Sequence, residues 1–225
     1  MNPIESRTFT SVQESLIAGH SILRNTYLLL SMTLIFSAVM AAIALTVQAP
    51  PLGMLLSLVG MFGLLYLTTY LRNSVWGLVS VFAFTGFIGY MLGPIIGMFM
   101  RNYQNGGFLV LSALGTTGVT FLGLSAYALV SRKSFSALGG FLTMGLLVVI
   151  VGSIANFFLK MPGVYLAISV ATSFIASGLI LFDTARIIHG GERNYIMATI
   201  ALYLDIYMLF INLLQLFAVF SGRER

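Results

Sequence analysis

Seven long apolar segments alternate with short polar breaks along this chain of 225 residues. Each segment approaches or exceeds the roughly 20 residues that an α-helix needs to cross a bilayer. Because the breaks are short, consecutive helices are expected to run antiparallel and to pack in one bundle. The pattern therefore predicts an all-α integral membrane protein with seven transmembrane helices. The predicted spans are residues 25–48, 53–71, 75–98, 107–130, 136–159, 163–188 and 195–220.

The segment before the first span is polar. Residues 1–22 show no apolar periodicity, and no apolar core follows a basic start within them, as a cleaved signal peptide would require. We therefore expect two regions, a flexible N-terminal tail over residues 1–22 and one transmembrane domain over residues 23–225.

The composition fits this architecture, since 59% of the residues are hydrophobic and 8% are charged, whereas soluble proteins carry about 25% charged residues. The lipid bilayer is thus the expected surrounding. The absence of cysteine excludes disulfides and thiolate metal sites. Two histidines do not make a histidine-based metal site, so a bound metal would be a hard cation on oxygen ligands. No tightly bound cofactor is expected.

The net charge of +5 does not indicate nucleic-acid binding, because the basic residues are scattered singly at helix ends.

Lys and Arg near the ends of the spans predict the orientation, because the cytoplasmic side of a membrane protein carries their excess. One side of the predicted topology holds the N-terminus and the residues Arg7, Arg24, Arg72, Arg132, Lys133, Arg186 and Arg193. The other side holds Arg101, Lys160, Arg223 and Arg225. We therefore expect a cytoplasmic N-terminus, a cytoplasmic turn at residues 189–194 and a periplasmic C-terminus.

Two of the six acidic residues, Asp183 and Asp205, fall inside apolar runs, in the sixth and seventh spans. An ionisable group at membrane depth is costly and is by default a candidate functional residue. Asp183 lies about 9 Å above the turn and Asp205 about 16 Å, at 1.5 Å of helix rise per residue. Helical side chains lean toward their N-terminus, which brings the two carboxyl groups of antiparallel helices closer together. We expect contact, and the alternative is two unrelated acids, each bound to a hydroxyl or a carbonyl.

Polar residues on the same two helices are candidate partners of the acids. Thr172 shares a helical face with Asp183, and Asn212 shares a stripe with Asp205. Arg186, at position i+3 from Asp183, is the first candidate for a cationic partner, and the alternative is that it extends to the lipid surface. Arg24 and Arg72 are further candidates.

The third span carries Gly89, Gly93 and Gly97 at every fourth position, which favours close helix packing. Pro94 removes one backbone hydrogen bond within this span. The glycines are either a packing face or, with Gly93 and Pro94, a hinge for gating.

Several blocks resemble the Bax inhibitor-1 (TMBIM) family, most closely its bacterial YccA-like branch. They are LRNTYLLLSMTL (23–34), FTGFIGYMLGPI (84–95), LGG (138–140) ahead of an apolar run, and IIHGGERNYI (187–196). The resemblance implies a bundle with the last helix at its centre, in the bacterial inner membrane. It also implies a pH-sensitive calcium leak controlled by two aspartates, which correspond here to Asp183 and Asp205.

The first functional hypothesis is therefore a calcium leak, gated by proton sharing between Asp183 and Asp205 and using both as transient calcium ligands. The alternative implied by the resemblance is a modulator or substrate of a membrane-bound AAA protease like FtsH, engaged through residues 1–20 and needing no ion flux. An intramembrane aspartyl protease also uses two aspartates, but its GxGD motif is absent here, where ILF and YL precede the two acids. No enzymatic activity is expected.

Overall fold

The computed structural model describes residues 3–131, 133 and 135–222, with side chains from Ser21 onward. Seven helices make up the described chain. They are α1 (Pro3–Thr46), α2 (Met54–Leu71), α3 (Val75–Asn102), α4 (Gly106–Ser131), α5 (Ser136–Leu159), α6 (Pro162–Ile188) and α7 (Tyr195–Gly222). All seven contain a stretch long and apolar enough to cross a membrane, which in α1 is Ser21–Thr46. The prediction of an all-α protein with seven transmembrane helices is confirmed.

Several helices extend beyond the apolar runs that predicted them. α3 continues to Asn102, and α1 begins at Pro3 although its membrane stretch begins at Ser21. Hydropathy marks the part of a helix that lipid surrounds, while backbone hydrogen bonding continues into polar sequence at the interface. The side chains of residues 1–20 lie outside the described part of the chain, so the flexible tail over residues 1–22 stays a prediction.

α7 lies at the centre of the bundle. It packs against α6, α4, α1 and α3. Half of the residues in its most apolar stretch are buried inside the protein, at 50%, compared with 6% for α2. A helix surrounded by other helices can be apolar on all sides and still be covered by protein. The expectation that the last helix is central is confirmed.

The other helices form two similar groups around α7. α1 packs against α3, and α2 packs on α3 from outside. α4 packs against α6, and α5 packs on α6 from outside. α2 and α5 therefore face mainly lipid, and large side chains such as Leu55 on α2 and Phe157 on α5 are 77% and 69% exposed.

The glycines of α3 lie against α1. A Cβ atom at Gly93 would lie 2.5 Å from the Cβ of Ala44, and one at Gly89 would overlap the carbonyl oxygen of Ser37. These positions lack a side chain because the two backbones approach closely. Helix α3 continues through Pro94. Packing accounts for the glycine face, and a hinge at Gly93 and Pro94 stays a prediction.

A hydrogen-bonded tyrosine joins three helices near the bundle centre. The Tyr203 hydroxyl on α7 lies 2.7 Å from the Ser37 hydroxyl on α1 and donates to the Thr85 carbonyl on α3 at 3.2 Å. Tyr203 is 2% exposed. A buried hydroxyl needs such partners, and these bonds fix α1 and α3 against the central helix.

Candidate functional site

The turn between α6 and α7 sets the positions of the two buried acids. Gly190 adopts a φ of +71°, the left-handed region that glycine enters readily. The Gly191 N–H then donates to the Arg186 carbonyl at 2.8 Å, which closes the end of α6. The Asn194 side-chain oxygen accepts from the N–H groups of Ile196 and Met197 at 3.0 and 3.1 Å, which caps the start of α7. The turn thus places the helices side by side and antiparallel.

The structure brings Asp183 and Asp205 together. Their side chains interact electrostatically with each other across the α6–α7 interface. Asp205 is 5% exposed, and the Asp183 side chain is 14% exposed. The Oδ2 atom of Asp205 is buried and has no hydrogen-bond partner among the described residues. Two carboxylates this close repel each other when both are ionised, so the arrangement suits a pair that shares one proton.

Arg186 joins the acid pair to the turn. Its Nη1 atom lies 3.8 Å from Asp183 Oδ1, and its Nη2 atom lies 3.3 Å from Glu192 Oε2. No other arginine that the structure describes forms an ion pair with Asp183 or Asp205. The Arg186 side chain is 45% exposed, so solvent screens both ion pairs.

Glu192 continues this network to another loop. Its Oε1 atom accepts from the Asn194 N–H at 2.9 Å. The Asn194 amide donates to the Arg72 carbonyl at 3.0 Å and to the Asn73 side chain at 2.9 Å, between α2 and α3. The sequence alone did not point to a role for Glu192 or Asn194. The sequence feature that could have indicated their roles is an acid, Glu192, and a capping residue, Asn194, shortly before the start of α7.

Two predicted partners lie elsewhere. Thr172 and Asn212 line a separate cavity between α5, α6 and α7, whose lining includes neither Asp183 nor Asp205. Thr172 donates to the Ile168 carbonyl at 2.7 Å, and Asn212 to the Met208 carbonyl at 2.8 Å, each within its own helix. Helical spacing places residues on one face but not at one depth, and Asn212 lies about 10 Å farther along α7 than Asp205.

The acid pair does not form a closed metal site with other residues that the structure describes. Among the described residues, no group of three or more His, Cys, Asp or Glu residues could hold a metal ion. Calcium takes 6–8 oxygen ligands, and two carboxyl groups supply fewer than this. Within the part of the chain that the structure describes, Asp183 and Asp205 therefore do not complete a calcium site by themselves.

Comparison with known proteins agrees with this architecture. A family profile described as "Inhibitor of apoptosis-promoting Bax1" matches residues 19–222. "Modulator of FtsH protease YccA" of Escherichia coli K12 is 47% identical over 93% of this chain and 94% of its own length. An uncharacterized Pseudomonas aeruginosa protein is 49% identical over 90% of this chain and 91% of its own length. An uncharacterized Vibrio cholerae membrane protein is 41% identical over 96% and 97%, respectively. The resemblance noted in the sequence is confirmed, and the chain belongs to the Bax inhibitor-1 family.

Proposed function

We propose that this protein modulates a membrane-bound AAA protease of the FtsH kind in the bacterial inner membrane. The observation that carries the proposal is the end-to-end similarity to the E. coli protein named as a modulator of FtsH, at 47% identity over 93% of this chain. A second E. coli relative, with the same identity, is named an inner membrane protein. The sequence alone favoured the calcium leak, whereas the names of these relatives favour modulation of a protease. The proposed role is non-enzymatic.

The N-terminal segment is the proposed contact with the protease. α1 begins at Pro3, and its membrane stretch begins at Ser21. The helix therefore extends about 27 Å beyond that stretch, at 1.5 Å per residue. An AAA domain consumes ATP and so acts on the cytoplasmic side, and the charge pattern predicts that residues 1–20 are on that side.

Deleting residues 1–20 should lengthen the lifetime of the protein in cells, because the protease loses the segment that it engages. The melting temperature in detergent should stay unchanged, because the bundle from Ser21 onward is kept. Pulse-chase labelling and thermal unfolding measure the two effects. A variant with a Gly/Ser segment of equal length in place of residues 1–20 separates sequence from length and should behave like the deletion. An unchanged lifetime would remove the segment from the proposal.

Modulation itself is measured with a purified FtsH-type protease and a membrane-protein substrate in proteoliposomes. Adding this protein should change the rate of substrate degradation. A rate independent of this protein, from substoichiometric amounts to excess, would contradict the proposed function.

A second function is favoured by the acid pair. The contact and burial of Asp183 and Asp205 support a calcium leak that is gated by their shared proton. The proton holds α6 against α7, and its loss at higher pH leaves two like charges that push the helices apart. The exposed carboxylates are transient ligands for calcium, which is the permeant ion. The hinge at Gly93 and Pro94 lets α3 bend when α6 and α7 move apart. Both roles can coexist in one protein.

The proposed orientation places the N-terminus in the cytoplasm and the C-terminus in the periplasm. The Asn194 bonds to the loop after α2 support one part of it, because they place two of the predicted cytoplasmic loops at the same end of the bundle. A reporter that is active only in the periplasm should be active when fused after Arg225 and silent when fused before Met1. The reverse pattern would invert the orientation, and activity at both ends would contradict seven spans.

A further inference from the structure

A half-open cavity of about 560 Å³ lies between α5, α6 and α7, at the end of the bundle opposite the 189–194 turn. We call it the Lys160 cavity, after the residue that follows α5. The proposed leak and the protease contact leave it without a role. Its walls combine hydroxyl, amide and ammonium groups with the apolar side chains of Val149, Phe157 and Ile168.

Three polar groups on the walls of the cavity, one on each helix, are already hydrogen-bonded within their own helices. Ser153 donates to the Val149 carbonyl at 2.7 Å, and Thr172 donates to the Ile168 carbonyl at the same distance. The Asn212 amide donates to the Met208 carbonyl at 2.8 Å. The walls near these three residues therefore offer few free donors and can accept an apolar or ester group.

The mouth of the cavity differs, because its donors are free. The side chains of Lys160 and Tyr165 donate no hydrogen bond to any described residue, and the Lys160 ammonium is in no ion pair with them. Gln215 accepts from Ser169 at 3.1 Å through its oxygen, which leaves its N–H₂ group free. No acidic residue is in the lining. This set of donors matches an anion, and a cation would meet the Lys160 ammonium.

The backbone holds Lys160 at the mouth. Lys160 adopts a φ of +52°, and its N–H donates to the Asn156 carbonyl at 2.8 Å. The Asn156 side chain, which is 9% exposed, accepts from the Met161 N–H at 3.1 Å. A left-handed conformation costs about 1 kcal/mol or more in a residue with a side chain, and glycine would adopt it freely. Here it turns the chain at the point that carries the ammonium group.

The cavity is also beside lipid. α5 is largely exposed along its length, and Phe157 combines a place in the lining with an exposed fraction of 69%. A ligand with a phosphate at the mouth and a hydrocarbon chain along Phe157 would use both kinds of wall. We propose that the Lys160 cavity binds an anionic phospholipid, whose phosphate contacts Lys160, Tyr165 and Gln215. A zwitterionic lipid would place its ammonium where the lining has no carboxylate to receive it.

The test uses the purified full chain in detergent, titrated with short-chain phosphatidylglycerol and followed by native mass spectrometry and by melting temperature. Replacing Lys160 by glycine removes the ammonium and suits the left-handed backbone, so folding is not at risk. Lys160→Gly should bind phosphatidylglycerol about tenfold more weakly, the size of one charge-assisted hydrogen bond. Lys133→Ala, which alters the other lysine of the chain at the opposite end of the bundle, should bind like the wild type.

Phosphatidylethanolamine and inorganic phosphate are the comparison ligands, and both should raise the melting temperature less than phosphatidylglycerol. Equal binding of phosphatidylglycerol by Lys160→Gly and the wild type would overturn the site. An equal response to phosphatidylethanolamine would overturn the selectivity for anionic lipid. An equal response to inorganic phosphate would make the ligand a free anion and overturn the lipid proposal.

Discussion

Calcium flux through proteoliposomes that hold only this protein should lose most of its pH dependence when Asp183 or Asp205 is replaced by asparagine. In the wild type, the shared proton favours the closed contact at lower pH and is lost as pH rises. Two charges about 4 Å apart then repel by about 4 kcal/mol at an effective dielectric constant of 20. Wild-type flux should therefore rise from acid to alkaline conditions, whereas asparagine removes the repulsion and leaves a neutral hydrogen-bonding partner.

The double variant should add little to either single one, because the two carboxyl groups act as one unit. Calcium entry is followed with an indicator dye inside the liposomes over a range of pH. Glu14→Gln makes the same chemical change in the predicted tail and should keep the wild-type profile. If both single variants keep that profile too, the acid pair is not the sensor. The leak proposal then loses its support, and modulation of a protease stands independently.

Gly89→Ala should destabilise the bundle by about 2 kcal/mol, within the range for overpacked cores. The added Cβ would overlap the Ser37 carbonyl oxygen and lie 2.8 Å from the Ser37 Cα atom. These are backbone atoms of α1, so the whole helix must move away. That shift would also strain the bond between Ser37 and Tyr203, which lies at 2.7 Å.

Gly115→Ala is the matched control for Gly89→Ala. Gly115 also lies inside a transmembrane helix, and a Cβ atom there would meet nothing within 4 Å. Alanine favours helix over glycine by up to about 1 kcal/mol, so this variant should be as stable as the wild type or more so. Unfolding in mixed micelles by added SDS measures both. Equal stability of the two variants would contradict close packing of α3 on α1.

The spans and the meeting of the two aspartates could be predicted because both follow from distances along the chain. Apolar length marks each crossing, and a short turn places Asp183 and Asp205 within about 7 Å of each other in height, a gap that the lean of helical side chains reduces. The spans and the pair therefore required no knowledge of how helices pack, whereas the central position of α7 was implied by the family resemblance.

Thr172, Asn212 and Lys160 show where that reasoning ends. Thr172 and Asn212 were predicted to be partners of the acid pair because helical periodicity shows which residues share a face of a helix. It does not show whether they lie at the same depth in the membrane. The cavity that holds all three depends on the separation of α5, α6 and α7, which residue spacing does not encode. Glu192 was missed for a similar reason, since its bonds to Arg186 and Asn194 require the folded turn.

The short helix α2 gives the bundle a sensitivity to bilayer thickness. α2 has 18 residues, the fewest of the seven described helices, and is about 27 Å long. This is close to the thickness of the hydrocarbon region. A longer helix adjusts to a change in bilayer thickness by changing its tilt, as the helices of 24 to 28 residues can, but α2 has no excess length for this. A thicker membrane would therefore strain α2 first. Asn194 is hydrogen-bonded to the loop that follows α2. Strain on α2 would therefore be transmitted to the turn that positions the two aspartates.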